Sequence, residues 1–196
     1  LGQASHEPIN RLAHAFSGGA PAVPPIFMTT KYYGGAGSQD TPEDVLERMR
    51  RYAEVLAESG YTLRSGGAPG ADTAFEEGAS EYPERQAIYL PWPGYNDRWG
   101  NGIVVGQDER LEQIAARYHP AWQNCRDSVR KLHTRNGPII LGHTQPVILS
   151  DFLLCWTYRF LGGGGTGQTI RVARAYGVPV YDLADVDNTF EKDWLY

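Results

Sequence analysis

The sequence predicts an α/β protein built in three layers, with a mainly parallel central sheet flanked by helices, and three observations carry that expectation. Strand-like and helix-like segments alternate along the chain, the pattern of repeated βαβ units. Two glycine-rich segments, Ser65-Gly66-Gly67-Ala68-Pro69-Gly70-Ala71-Asp72 and Gly162-Gly163-Gly164-Gly165-Thr166-Gly167-Gln168-Thr169, each join a predicted strand to a predicted helix. At 196 residues and 41% hydrophobic content the chain can bury one core, and no shift in composition divides it.

The elements follow in order. Residues 1–25 read as an extended arm, because Ser17-Gly18-Gly19 has no strand before it and prolines after it; residues 26–196 read as a single domain. Ile26 to Thr30 is the first predicted strand, running into a loop from Lys31 to Ser38 whose Gly34 and Gly35 are candidate ligand-binding residues. Thr41 is the expected N-cap of a helix with Pro42 at its first position and Glu43 and Asp44 in its first turn. Val45, Leu46, Met49, Tyr52, Ala53 and Leu56 recur at helical spacing, and Gly60 ends the helix. Tyr61 to Arg64 and Ala87 to Leu90 are short strands on either side of a helix over 72–79. Two helices are expected over 108–118 and 120–134, split by Pro120, whereas the apolar run at 138–141 fits helix or strand equally. Phe152 to Trp156 reads as a buried strand, 169–176 as a helix closed by Gly177, and 178–183 as the last strand, with Pro179 near its start.

Composition excludes some functions. With 18 basic against 23 acidic residues the net charge is −5, which disfavours broad capture of a nucleic-acid backbone. No apolar run reaches membrane-spanning length and residues 1–25 lack the order of a signal peptide, so a cytoplasmic protein without a membrane partner is expected. Of the two cysteines, Cys155 lies in an apolar run and reads as a buried thiol, and neither suggests a metal site.

The glycine segments point to an anion. Gly66, Gly67, Gly70, Gly163, Gly164 and Gly165 can present backbone N–H groups to phosphate at helix starts, with the Ser65 and Thr166 hydroxyls beside them; tight turns are the simpler alternative. Lys31, Arg135 and Asn136 are the side chains expected near the carboxyl edge of the sheet for charge-assisted contacts. Asp72 fits either a ribose hydroxyl acceptor or a helix cap. Trp92 and Tyr95, in an open Pro- and Gly-flanked loop, offer surfaces for a base, while Trp156 is expected to be at least partly buried. Glycosidic cleavage would require a carboxylate or another acid; Asp151, Asp72 and His133 are the candidates, with Glu76 and Glu77 read as solvent-facing.

The block from Thr62 to Asp72 resembles the signature loop of DNA-processing protein A and its relatives. Asp151 to Trp156 followed by Gly163-Gly164-Gly165-Thr166 is similar to the strand and glycine motif of the lysine-decarboxylase-like LOG proteins. Together, over roughly residues 26–183, they resemble the SLOG superfamily of Rossmann-like nucleotide-ligand domains. Arg135-Asn136 and the aromatic loop 91–100 look like its YspA-related branch, many of whose members belong to phages.

The resemblance implies a nucleotide or ADP-ribose-type phosphate ligand held across both glycine loops by a sensor or binding protein needing no further cofactor, with homodimerisation as a family trait. Hydrolysis of a nucleotide N-glycosidic bond is the alternative, and single-stranded DNA binding a third. Where the hydrolytic LOG enzymes carry proline before the glycines and glutamate three residues after the threonine, this chain has Leu161 and Thr169, so the catalytic glutamate does not carry over.

Overall fold

The central strand of the protein, β1 (Lys31–Gly37), is built from a segment that reads as a loop. Its glycines are packing residues: a Cβ on Gly34 would lie 3.0 Å from Ile139 and Leu153, one on Gly35 2.8 Å from Leu63 and Phe75, and one on Gly37 2.4 Å from the Cβ of Ala71. Strand glycines admit the neighbouring layers to close approach, so the loop expected at 31–38 is corrected to a strand over 31–37. The computed structural model describes residues 30–158 and 163–194; the arm at 1–25 and most of the expected first strand lie outside them.

After β1 come α1 (Glu43–Glu58), β2 (Tyr61–Ser65), α2 (Ala71–Gly78), β3 (Gln86–Leu90), β4 (Ile103–Val104), α3 (Glu109–Tyr118), α4 (Asp127–Thr134), α5 (Gly137–Leu141), β5 (Phe152–Trp156), α6 (Gly164–Ala175), β6 (Val180–Asp182) and α7 (Phe190–Trp194). The six strands form one all-parallel sheet in the order β4-β3-β2-β1-β5-β6. Side chains alternate across it. Phe152, Leu154 and Trp156 of β5 join Tyr33, Met49, Leu56, Phe75 and Phe190 on the face covered by α1, α2 and α7. Leu153 and Cys155 join Leu111, Ile139, Ile140, Ile170 and Val172 on the face covered by α3, α5 and α6. This is the expected three-layer, Rossmann-like arrangement. Among the described residues, no helix is long and apolar enough to cross a membrane.

Four local readings change. Thr41 does not cap α1, whose N-cap is Pro42; its hydroxyl donates instead to the Ser38 carbonyl at 2.7 Å. The helix expected from 120 begins at Asp127, after a single tight turn at Trp122–Asn124. The ambiguous run at 138–141 lies within the short helix α5. The glycines of the second segment form the first turn of α6, five residues before the helix was expected to start.

Candidate functional site

The chain runs outward from β1 through β2 and β3 to β4, then crosses back to β5 and β6 on the other side. The order therefore reverses between β1 and β5, the place where open parallel sheets leave a crevice beyond their carboxyl ends. A cleft of about 500 Å³ lies there. One wall is the turn after β1, with Gly37, Ser38 and Gln39; the opposite wall is Trp156 and Thr157 at the end of β5, then Tyr158. Gly163, Gly164, Gly165 and Thr166 of the α6 start form one end, and Arg135 and Asn136, at the junction of α4 and α5, reach in beside Asp72.

The second glycine segment is open. Among the described residues, a Cβ on Gly163 or Gly164 would meet nothing within 4 Å, and Gly163 caps α6 with no side-chain hydrogen bond, so the first-turn N–H groups of a 12-residue helix face the cleft end. Gly164 needs glycine, with φ of +59°.

The first segment behaves differently: Ser65, Gly66, Gly67 and Gly70 do not line the cleft. The Ser65 hydroxyl donates to the Gly35 carbonyl at 2.9 Å and ties β2 to β1. A Cβ on Gly66 would sit 1.3 Å from Arg135 Nη1, one on Gly67 3.1 Å from Arg98 Nε, and one on Gly70 2.8 Å from the Gln39 backbone. These glycines seat two arginines and the turn after β1, which corrects their expected role as a phosphate cradle.

The charge beneath that loop is buried. Asp72 is 3% exposed; its Oδ2 accepts from the Ala68 N–H at 3.2 Å and lies 3.4 Å from Arg135 Nη1. Burial pushes its carboxyl up, against the pull of Arg135 and the backbone N–H groups of Ala68, Gly66 and Gly37. One turn on, Glu76 is 8% exposed and pairs with Arg98 Nη1 at 2.6 Å, contrary to the solvent-facing position expected; Glu77 is exposed and pairs with Arg50. Burial raises Glu76 to about 7 even with Arg98 beside it, and the Asp72 charge adds to the rise. Among the described residues, Glu76 Oε1, Arg98 Nε and Arg135 Nε are buried without hydrogen-bond partners.

A second network fixes the α6 end. Gln168, fully buried, accepts from Asn136 Nδ2 at 3.0 Å and from His133 Nδ1, and donates to the Ala115 carbonyl at 3.1 Å. Asn136 also approaches the Gly165 carbonyl at 3.4 Å. The α6 start is thereby tied to the junction that carries Arg135. His133 serves this network outside the cleft, its imidazole pushed down by burial.

The other expected site residues fall elsewhere. Lys31 opens β1 at the amino edge, its Nζ 5.0 Å over the Tyr61 ring, so its expected position near the carboxyl edge is wrong. Asp151 is at the same edge, accepting from the Tyr32 N–H at 3.3 Å. Gly34 and Gly35 are inside β1. Trp92 and Tyr95 pack edge to face at 5.3 Å outside the cleft wall, where Tyr95 lies 5.8 Å from the Arg135 guanidinium. Ser38, Gln39 and Thr157 went unread as cleft residues because nothing in their types marks them; the turn that follows a strand adjoining the reversal was the available signal. Comparisons with family models, with curated proteins and with solved structures each yield no match to the chain.

Proposed function

We propose that the protein binds a nucleotide or ADP-ribose-type phosphate ligand in the cleft between β1 and β5, as a ligand-binding or sensor protein of the kind the SLOG resemblance implies. The observation that carries this reading is the convergence of Arg135 with the open, glycine-built start of α6 on one cleft. Backbone N–H groups at a helix start favour an anion, and a guanidinium adds paired donors. Trp156 and Tyr158 give the same cleft aromatic surface for a base. Thr169, where the hydrolytic relatives have their acid, donates its hydroxyl to the Gly165 carbonyl at 3.2 Å, which favours binding over turnover.

The test is thermal unfolding with a panel of mononucleotides, NAD, ADP-ribose and cyclic nucleotides, with chromatography for released base. A ligand at a hundredfold excess over its Kd adds about 2.7 kcal/mol, a rise of about 5 to 10 °C for a chain of this length. Gly163→Leu, at φ −79° with open space around its Cβ, fills the cleft end without backbone strain and abolishes the rise. An unchanged rise in that variant refutes the placement, and released base refutes a pure binder.

A further inference from the structure

Arg135 serves two anions in this arrangement. It faces the cleft, and it is also the cation nearest the buried Asp72 carboxylate. Asp72 and Glu76 stand one helical turn apart on the inner side of α2, so each carboxylate depends on a guanidinium: Arg135 from the α4–α5 junction and Arg98 from the loop after β3. Two carboxylates and two guanidiniums cancel. Asp97, also on that loop, is exposed; Asp40 is exposed on the cleft rim; and the α1 face of α2 has its own exposed group, Arg50 with Glu43, Glu47 and Glu77.

An anion arriving beside Arg135 upsets that balance. It draws on the same guanidinium and places a further negative charge against two buried carboxylates, one of which, Glu76, has an oxygen with no partner among the described residues. Like charges in a site removed from water are relieved by protonation. Resting on the proposed phosphate-ligand reading, we infer that ligand binding in the cleft is coupled to uptake of one proton from solvent by the Asp72–Glu76 pair. The proton is added to a carboxylate oxygen and no other bond changes; the pair titrates as a unit. Because Glu76 in the free protein is already raised to about 7 by burial, uptake occurs from that pH upward, where Glu76 is ionised in the free protein. Affinity therefore falls as pH rises above about 7, approaching tenfold per pH unit where a whole proton is linked.

Calorimetry on the full chain decides the point. The probe is ADP-ribose, whose diphosphate diester does not titrate between pH 6 and 9, or, if it gives no heat, the tightest binder of the thermal panel with its own titration subtracted. Titrations at pH 7.5 in buffers of different ionisation enthalpy are expected to give heats whose slope reports between about half and one proton taken up per ligand, with the Kd rising between pH 7 and pH 9. Asp72→Asn and Glu76→Gln remove the uptake; Glu77→Gln, on the exposed side of α2, leaves it intact. Heats independent of buffer in the unaltered protein overturn the inference while the binding reading stands, so no variant has to fold for the test to fail it. Absence of binding by every member of the panel overturns the reading and the inference with it.

Discussion

Replacing Arg135 by Met tests whether the cleft arginine is also a structural counter-charge. The two side chains have similar length, so the variant removes the charge with little change in volume. Asp72 would remain 3% exposed with the Ala68 N–H as its nearest donor. Breaking a buried pair from one side destabilises by about 3 to 5 kcal/mol, and the 3.4 Å separation puts this one at the lower end, about 3 kcal/mol. An exposed pair would give less than about 1 kcal/mol. The pH dependence is the sharper part. Asp72 has its carboxyl raised by burial, so its contribution is fully present below the unfolded value and is lost as pH rises through the folded one. Losing Arg135 raises the folded value further, which widens the window of loss and concentrates the destabilisation at high pH. Urea unfolding at pH 8 and pH 5 is expected to show a large loss at pH 8 and a much smaller one at pH 5, and Asp72→Asn added to Arg135→Met should recover most of the loss at pH 8. Equal losses at both pH values, or strictly additive effects of the two substitutions, would refute the reasoning.

Glu76 should leave its own signature: with its folded value near 7 against an ordinary 4.5, its contribution falls by about 1.4 kcal/mol per pH unit between them, so the stability of the unaltered protein relative to Glu76→Gln should decline from pH 5 to pH 8 in urea titrations. Gly35→Ala pushes a methyl to 2.8 Å from Leu63 and the Phe75 ring and should cost about 1 to 3 kcal/mol, seen as a lower melting temperature. Phe152→Ala empties a fully buried site against the rings of Tyr33, Tyr61 and Trp194 and should cost about 3 to 5 kcal/mol in the same assay.

The parallel sheet was legible because its cause is local: α1 declares itself by the spacing of Val45, Met49, Tyr52 and Leu56, and β5 by five apolar residues between Asp151 and Thr157. β1 was read as a loop because its glycines answer to partners far away in sequence, Leu63, Phe75, Ile139 and Leu153, and no short-range pattern reports a tertiary approach. The same limit hid Glu76. An acidic residue beside Glu77 reads as surface, and only the loop that delivers Arg98 turns it inward. Arg135, Asn136 and the second glycine segment, which line the cleft, were readable as candidates because a polar group near a helix start carries its chemistry in its type. Lys31 carried the same chemistry but was assigned to the wrong end of a strand.

The two glycine segments look alike in sequence for opposite physical reasons. In the second, missing side chains leave a helix start accessible from outside. In the first, they leave room for something already present, since any Cβ on Gly66 would displace the Arg135 guanidinium. The glycines of the first loop can therefore act on a ligand only through that arginine, while Ala68 and Asp72 of the same segment line the cleft themselves. What the glycines control is the position and pairing of the charge that the ligand meets, and Asp72 is the group that competes for that charge. On the proposed reading, a phosphate at the open α6 start would have its backbone donors fixed by fold and its guanidinium set by the protonation of a buried carboxylate pair. On the same reading, affinity in such a site would follow pH through a carboxylate pair buried behind the guanidinium.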